Sequence, residues 1–346
     1  MLANRNIESA LNYLLTKYPV VALTGPRQSG KTTMLKDLFP KYKYVNLENP
    51  DIRAFAENDT NAFLTQYDSY VIIDEVQRVP SLFSYIQSIV DDSGIMGQFI
   101  LSGSQNFHLM QNISQSLAGR VGILKLFPFD NQELKSANWL NEDDYLFNIL
   151  KGYYPAIYQR NIESKIFYSN YIQTYIQRDV TELINIRDMR MFQNFLKLCA
   201  TRAGQLLNLN SLAGECGISQ PTAKAWLSIL ETSYVLFLLH PYYKNFSKRI
   251  VKTPKLYFYD TGLLAYLLNI SNLEQLHHLS VKGALFENAM VAEHYKQMHH
   301  FNDLKETWFW RDSGGHEIDL LVEQENSFDI VEFKATTTIM PDAFKG

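Results

Sequence analysis

Residues Val21–Leu35 read VALTGPRQSGKTTML: an apolar run, then spaced glycines, then Lys-Thr-Thr. No other stretch restricts the possible folds as much. Gly25, Pro26, Arg27, Gln28, Ser29, Gly30, Lys31 and Thr32 match the pattern G-x-x-x-x-G-K-[ST]. The glycines let a loop curl until backbone N–H groups point inward at phosphate oxygens. A helix starting at the end of the loop adds the positive end of its dipole. The Lys31 ammonium reaches the β and γ phosphates, and the Thr32 hydroxyl ligates Mg²⁺. The stretch therefore predicts a buried strand, a phosphate-cradling loop lined through Thr33, and a helix over Thr32–Leu38.

Two later segments supply what such a cradle needs. Tyr70-Val-Ile-Ile-Asp74-Glu75 is an apolar strand that ends in two carboxylates. Asp74 is placed to hold the Mg²⁺ through its water shell, and Glu75 to orient an attacking water as general base. Phe99-Ile-Leu-Ser102-Gly-Ser104-Gln105 reads as a strand ending in small polar residues. In a nucleotide hydrolase such a strand lies between the other two and offers a polar side chain to the γ phosphate. Ser104 and Gln105 are the candidates. Ser116-Leu-Ala-Gly-Arg120 closes a helix before another strand. Arg120 either projects into the site of a neighbouring subunit, where such a finger is worth roughly 10³–10⁵ in rate, or caps its helix and pairs locally.

The first 135 residues alternate short apolar strands with helical stretches, which predicts an α/β fold with a parallel sheet covered on both faces. The expected strands are Val20–Thr24, Tyr44–Leu47, Tyr70–Ile73, Gln98–Ser102 and Gly122–Phe127, with a helix over Ser81–Asp91 among the connections. With 346 residues, further domains are expected. The expected divisions are a P-loop core over 1–135, a helical lid over 136–190, a winged helix over 191–262 and a small α/β unit over 263–346. Hydrophobic residues make up 46% and charged residues 20%, as in globular proteins, and 21 Tyr and 21 Phe predict aromatic-rich cores. No apolar run approaches the roughly 18 residues of a membrane span, no export signal is visible, and two cysteines make neither a disulfide framework nor a metal cluster. These point to a cytoplasmic chain with no membrane partner. The net charge of −4 gives no global attraction to nucleic acid.

A local attraction is nevertheless legible. Leu209–Leu227 reads as a helix-turn-helix in which Leu212 and Ala213 pack inward, Gly217 makes the turn, and Ser219 caps a second helix with Pro221 near its start. Gln220, Thr222 and Lys224 lie on the exposed side of that helix, as plausible groove contacts. Tyr242–Lys255 holds five basic residues and no acid, and reads as a wing hairpin with a phosphate-binding surface. Double-stranded DNA is thus one expected partner, and a purely structural or protein-binding winged helix is the other reading. In the tail, Glu287 falls on a helix, Glu317-Ile-Asp319-Leu-Leu-Val on one strand and Ile330-Val-Glu332-Phe-Lys334 on the next. Glu332 and Lys334, two apart on a strand, share a face that Asp319 can join. Two carboxylates there would bind Mg²⁺ and the lysine would polarise water.

The order of these motifs resembles that of the AAA+ ATPase superfamily. More narrowly, GPRQSGKTT, VIIDEVQRVP, LSGSQ, SLAGR, LFPFDNQEL, KGYYPAIY, YIQRDV and KLYFYDTGLL resemble the prokaryotic AAA-type ATPases that carry a DUF4143 domain. The resemblance runs nearly the whole length and implies a P-loop ATPase using ATP and Mg²⁺ more than it implies a pathway. Arg178 and Asp179 match a hallmark of the family: in a helical lid the arginine could sense the γ phosphate, or the two could form a structural ion pair. The tail resembles the PD-(D/E)xK nuclease fold, with Glu287, Asp319, Glu332 and Lys334 at its positions, although twelve residues after Lys334 are too few for its closing elements. The expected function is ATP hydrolysis coupled to DNA binding or remodelling, in a chain that can form a homo-oligomer. An ATP-gated switch acting on a protein partner, and an ATP-licensed nuclease, are the alternatives.

Overall fold

A computed structural model describes residues 3–104, 106–176, 189–243, 253–278, 281–312 and 314–335. Its contacts divide the chain into two units, Leu2–Phe129 with His299–Asp303, and Asp130–Met298 with Leu304–Gly346.

The first unit is built on five parallel strands: β1 (Val20–Thr24), β2 (Lys43–Asn46), β3 (Val71–Asp74), β4 (Phe99–Ser102) and β5 (Val121–Lys125), in the order β2-β3-β4-β1-β5. All residues of β1, β3 and β4 are buried. Their alternation sorts them into two cores, because successive side chains of a strand leave opposite faces. Val20, Ala22, Val71, Ile73, Phe99 and Leu101 pack with Phe63, Phe83, Ile86 and Ile113 from helices Thr60–Gln66, Leu82–Ser93 and Asn106–Ser116. Val21, Leu23, Ile72 and Ile100 pack on the other face with Leu11, Leu14, Met34 and Leu35 from helices Glu8–Leu15 and Lys31–Leu38. Each fully buried Val, Leu, Ile, Phe or Met among them contributes roughly 1.5–3 kcal/mol by leaving water. A continuous apolar run is thus what a strand covered on both faces requires. The expected placement of β4 between β1 and β3 holds, so the loops after all three strands open at the same edge of the sheet, where α/β sheets bind ligands.

The second unit begins with short helices, Tyr145–Lys151, Pro155–Gln159 and Ser164–Tyr171, whose cores use the plentiful tyrosines. Tyr154 Oη donates to Tyr171 Oη at 2.8 Å, and Tyr168 Oη to buried Asp260 at 2.6 Å. Helix Met189–Thr201 precedes the pair Leu209–Cys216 and Gln220–Thr232. Leu212 and Ala213 are buried, Gly217 turns in the left-handed region at φ 71°, and the Ser219 hydroxyl accepts from the Thr222 amide at 3.2 Å. An antiparallel pair follows, β6 (Leu236–Leu239) with β7 (Lys255–Phe258). The basic residues at 244, 248, 249 and 252 lie outside the described residues, as do Gln105, Arg178 and Asp179.

The tail consists of helix Lys282–His300 and an antiparallel sheet of β8 (Thr307–Arg311), β9 (Glu317–Glu323) and β10 (Phe328–Val331), in the order β10-β9-β8. Here one expectation is corrected. β10 stops at Val331, so Glu332 and Lys334 lie beyond the strand instead of within it.

Candidate nucleotide site

The loop after β1 is shaped by steric necessity. Gly25 sits at φ 143°, and a Cβ there would come within 2.1 Å of the Leu126 carbonyl oxygen. Gln28 and Gly30 take positive φ of 61° and 96°, and helix Lys31–Leu38 begins directly after them. Arg5 braces the loop from the amino terminus. Its guanidinium donates to the Ser29 carbonyl at 2.8 Å and to the Phe127 carbonyl at 2.7 Å, and lies 4.9 Å over the Phe129 ring. The Lys31 ammonium turns onto its own loop and donates to the Gly25 and Pro26 carbonyls, each at 2.8 Å. The buried Ser29 hydroxyl has no hydrogen-bond partner among the described residues. Thr33 is exposed on the following turn.

Asp74, at the end of β3, is buried and collects hydroxyls from three directions. Thr32 Oγ1 donates at 2.7 Å, Tyr44 Oη at 2.9 Å and Ser102 Oγ at closer range. Thr32 was expected there. Tyr44 and Ser102, from the strands on either side of β3, were not. Burial, and then the Asp74 charge, push the Tyr44 phenol far above its ordinary range. Tyr44 therefore stays a donor, and the Lys36 ammonium lies 3.6 Å over its ring.

Glu75 follows in the left-handed region at φ 54°, a strained conformation for a residue with a side chain. That turn aims its carboxylate at the end of β4. Ser104 Oγ stands 3.1 and 3.2 Å from its two oxygens, and Gln77 Nε2 donates to one of them. Gly103 makes room for Gln77: a Cβ there would meet the Gln77 Oε1 at 2.3 Å. Ser104 is thus brought to Glu75. Gln77 is a residue that sequence reading missed, although its spacing two beyond Glu75 could have marked it.

The donor set fits a triphosphate with a hard divalent cation. A curled glycine loop, a buried unpartnered hydroxyl, an ammonium resting on loop carbonyls, and the Thr32 and Asp74 oxygens are the chemistry that phosphate and Mg²⁺ take. Arg120 stands apart from this constellation within the chain. It is partly exposed and pairs with Asp91, Nη2 to Oδ2 at 2.9 Å, while Nη1 donates to the Ala118 carbonyl at 3.0 Å. The hydrogen bond from Arg120 holds the Asp91 carboxyl below its usual range.

The tail carboxylates have an unexpected companion. Lys255, read from sequence as part of a phosphate-binding hairpin, is buried on β7 with its side chain only 2% exposed. Its ammonium lies 2.9 Å from Glu287 Oε1, 2.5 Å from Glu317 Oε1 and 3.9 Å from Asp319 Oδ1. Tyr257 Oη also donates to Glu287, at 2.6 Å. Burial pulls the lysine's pKa down, but Glu287 and Glu317 more than offset it and the net shift is upward. Asp319 Oδ2 accepts from the Phe333 amide at 2.9 Å, while Glu332 and Lys334 pair with each other at 2.9 Å in a more exposed position. Arg311 adds a further cation, 3.3 Å from Glu317.

Comparisons with known proteins agree with this architecture. Residues 17–135 match the model of an AAA domain, 142–274 that of a domain of unknown function, DUF8612, and 282–346 that of another, DUF4143. The uncharacterized proteins Rv2008c of Mycobacterium tuberculosis and Mb2031c of Mycobacterium bovis are each 31% identical over 349 residues, covering 98% of this chain and 75% of theirs. Among solved structures, the Walker-type ATPase PABY2304 of Pyrococcus abyssi is similar in fold, with a TM-score of 0.50 at 15% identity over 76% of this chain and 94% of that one. Among the described residues no helix is long and apolar enough to cross a membrane. With its P-loop sheet, its AAA domain and its carboxy-terminal match, the chain belongs to the AAA-type P-loop ATPases that carry a DUF4143 domain.

Proposed function

We propose that the chain binds ATP with Mg²⁺ in the loop from Gly25 to Thr33, hydrolyses it, and couples the change to a duplex DNA partner. The observation that carries the hydrolytic reading is the convergence of Lys31, Thr32, Asp74, Glu75 and Ser104 at one edge of the sheet. The loop amides and Lys31 would hold the phosphates, and Thr32 and Asp74 the metal, which when bound neutralises phosphate charge. Glu75 would orient the attacking water and accept its proton. Ser104 and Gln77 hold its carboxylate in one orientation, so the base is positioned before substrate arrives. Arg120 serves a neighbour's site only in a homo-oligomer, and only if it releases Asp91.

The DNA reading rests on the helix pair at 209–232, the β6–β7 hairpin and the basic residues between those strands. The exposed start of helix Gln220–Thr232 offers Gln220, Thr222 and Lys224 toward a groove. A protein partner is the second reading, favoured by the single positive charge among those three. ATPase rate measured with and without duplex DNA separates them. Stimulation that weakens steeply with salt, and is lost on joint replacement of Lys248, Arg249 and Lys252, supports the first. A rate indifferent to DNA, with no salt-dependent duplex binding, supports the second.

A further inference from the structure

The Lys255 cluster carries an inference independent of the ATPase reading. Glu317 and Asp319 are two apart on β9 and so share a face. Glu287 reaches the same point from helix Lys282–His300, and Lys255 enters from β7. Carboxylates from a helix and a strand meeting away from water call for a counter-cation, either a divalent metal ion or a basic side chain, because unscreened carboxylates repel and lose their hydration. In this chain the cation is already supplied by a side chain. The Lys255 ammonium contacts Glu287 and Glu317, lies 3.9 Å from Asp319, and sits 5.5 Å over the Phe309 ring. Arg311 takes the remaining oxygen of Glu317, the Phe333 amide takes one of Asp319, and Lys334 takes one of Glu332. Three cations therefore already face these four carboxylates.

We propose that Lys255 is the resident cation of this cluster: its ammonium occupies the place of a divalent metal ion, and the tail's carboxylates hold β7, β9 and helix Lys282–His300 together instead of holding a catalytic metal. A Mg²⁺ entering there must displace a lysine that is buried and hydrogen-bonded to Glu287. The cluster is then a latent metal site, closed by the chain itself, and these residues perform no metal-dependent phosphodiester cleavage.

The experiment is Mn²⁺ binding to the full chain without nucleotide, by calorimetry, with thermal unfolding in parallel. Any Mn²⁺ held by the P-loop is common to every variant and cancels in the comparison. Wild type and Asp319→Asn are expected to bind the same number of Mn²⁺ ions. Lys255→Met is expected to bind one more per chain, and Lys255→Met/Asp319→Asn to lose it again. The midpoint of Lys255→Met should fall in EDTA and recover with Mn²⁺, while that of wild type stays unmoved by the same addition beyond the shift seen in Asp319→Asn. A wild type that binds one more Mn²⁺ than Asp319→Asn overturns the proposal, and this pair needs no variant lacking the lysine. A folded Lys255→Met with no added Mn²⁺ also overturns it.

Discussion

Arg5 offers a quantitative test of how the phosphate loop is held. It lies only 7% exposed and 24 residues before Ser29, whose carbonyl it binds, and 122 before Phe127. Arg5→Met keeps most of the apolar stem and removes the guanidinium. Each lost hydrogen bond to a charged donor is worth about 1.5–3 kcal/mol, and the contact over Phe129 about 0.5–2 kcal/mol. Relaxation and water entry recover part of this sum, leaving a net loss of about 3 kcal/mol. At about 2–4 °C per kcal/mol, the unit's unfolding midpoint should fall by about 6–12 °C. Since Ser29 belongs to the loop, about 1 kcal/mol of the loss should appear in nucleotide binding, or about fivefold in Kd. Thermal unfolding and titration with a fluorescent ATP analogue measure both. A midpoint shift below about 2 °C with unchanged affinity would refute the claim that Arg5 braces the loop.

Three further outcomes follow from the same geometry. Tyr44→Phe removes one of the hydroxyls on Asp74, and the Mg²⁺ concentration for half-maximal ATPase should rise about three- to tenfold, for a loss of about 1 kcal/mol, while affinity for ATP in EDTA stays unchanged. Ser104→Ala frees the Glu75 carboxylate on one side and should lower kcat more than KM, as expected for lost orientation of the base. Glu231 has its pKa pushed up to about 7 by burial. Its folded-state value lies above its unfolded one, so its stability contribution is complete below about pH 4.5 and is lost as pH rises through 7. Glu231→Gln should therefore stabilise the chain by on the order of 2 kcal/mol at pH 8, with the gain vanishing toward pH 4, as urea unfolding at the two pH values reads directly.

What could be read from sequence depended on whether the determinants were local. The loop from Gly25 to Thr32, the end of β3 at Asp74 and the exit of β4 at Ser104 are legible because backbone curvature, helix start and side-chain chemistry all lie within a few residues. Tyr44, Ser102 and Arg5 were not, since their roles come from partners 28 or more residues away, or 24 in the case of Ser29, brought close only by strand order and by the packing of the amino terminus on the loop. The tail shows the opposite failure. An E-x-K pattern near a strand invited reading Glu332 and Lys334 as a matched pair on one face, yet β10 ends at Val331. Lys255 carried a local signal of the wrong sign. It sits at the end of a basic segment and so looked solvent-exposed, whereas its strand pairing with β6 and its three acidic neighbours bury it.

The proposed function makes Glu75 the base of a working ATPase site. The measurement that tests it most directly is steady-state phosphate release with Mg·ATP by wild type and Glu75→Gln, with nucleotide affinity determined on the same preparations. Expected are turnover by wild type, a fall in kcat of about 10²–10⁴ in the variant, and ATP affinity held within about threefold because the cradle is untouched. Wild-type rates from Glu75→Gln would contradict it.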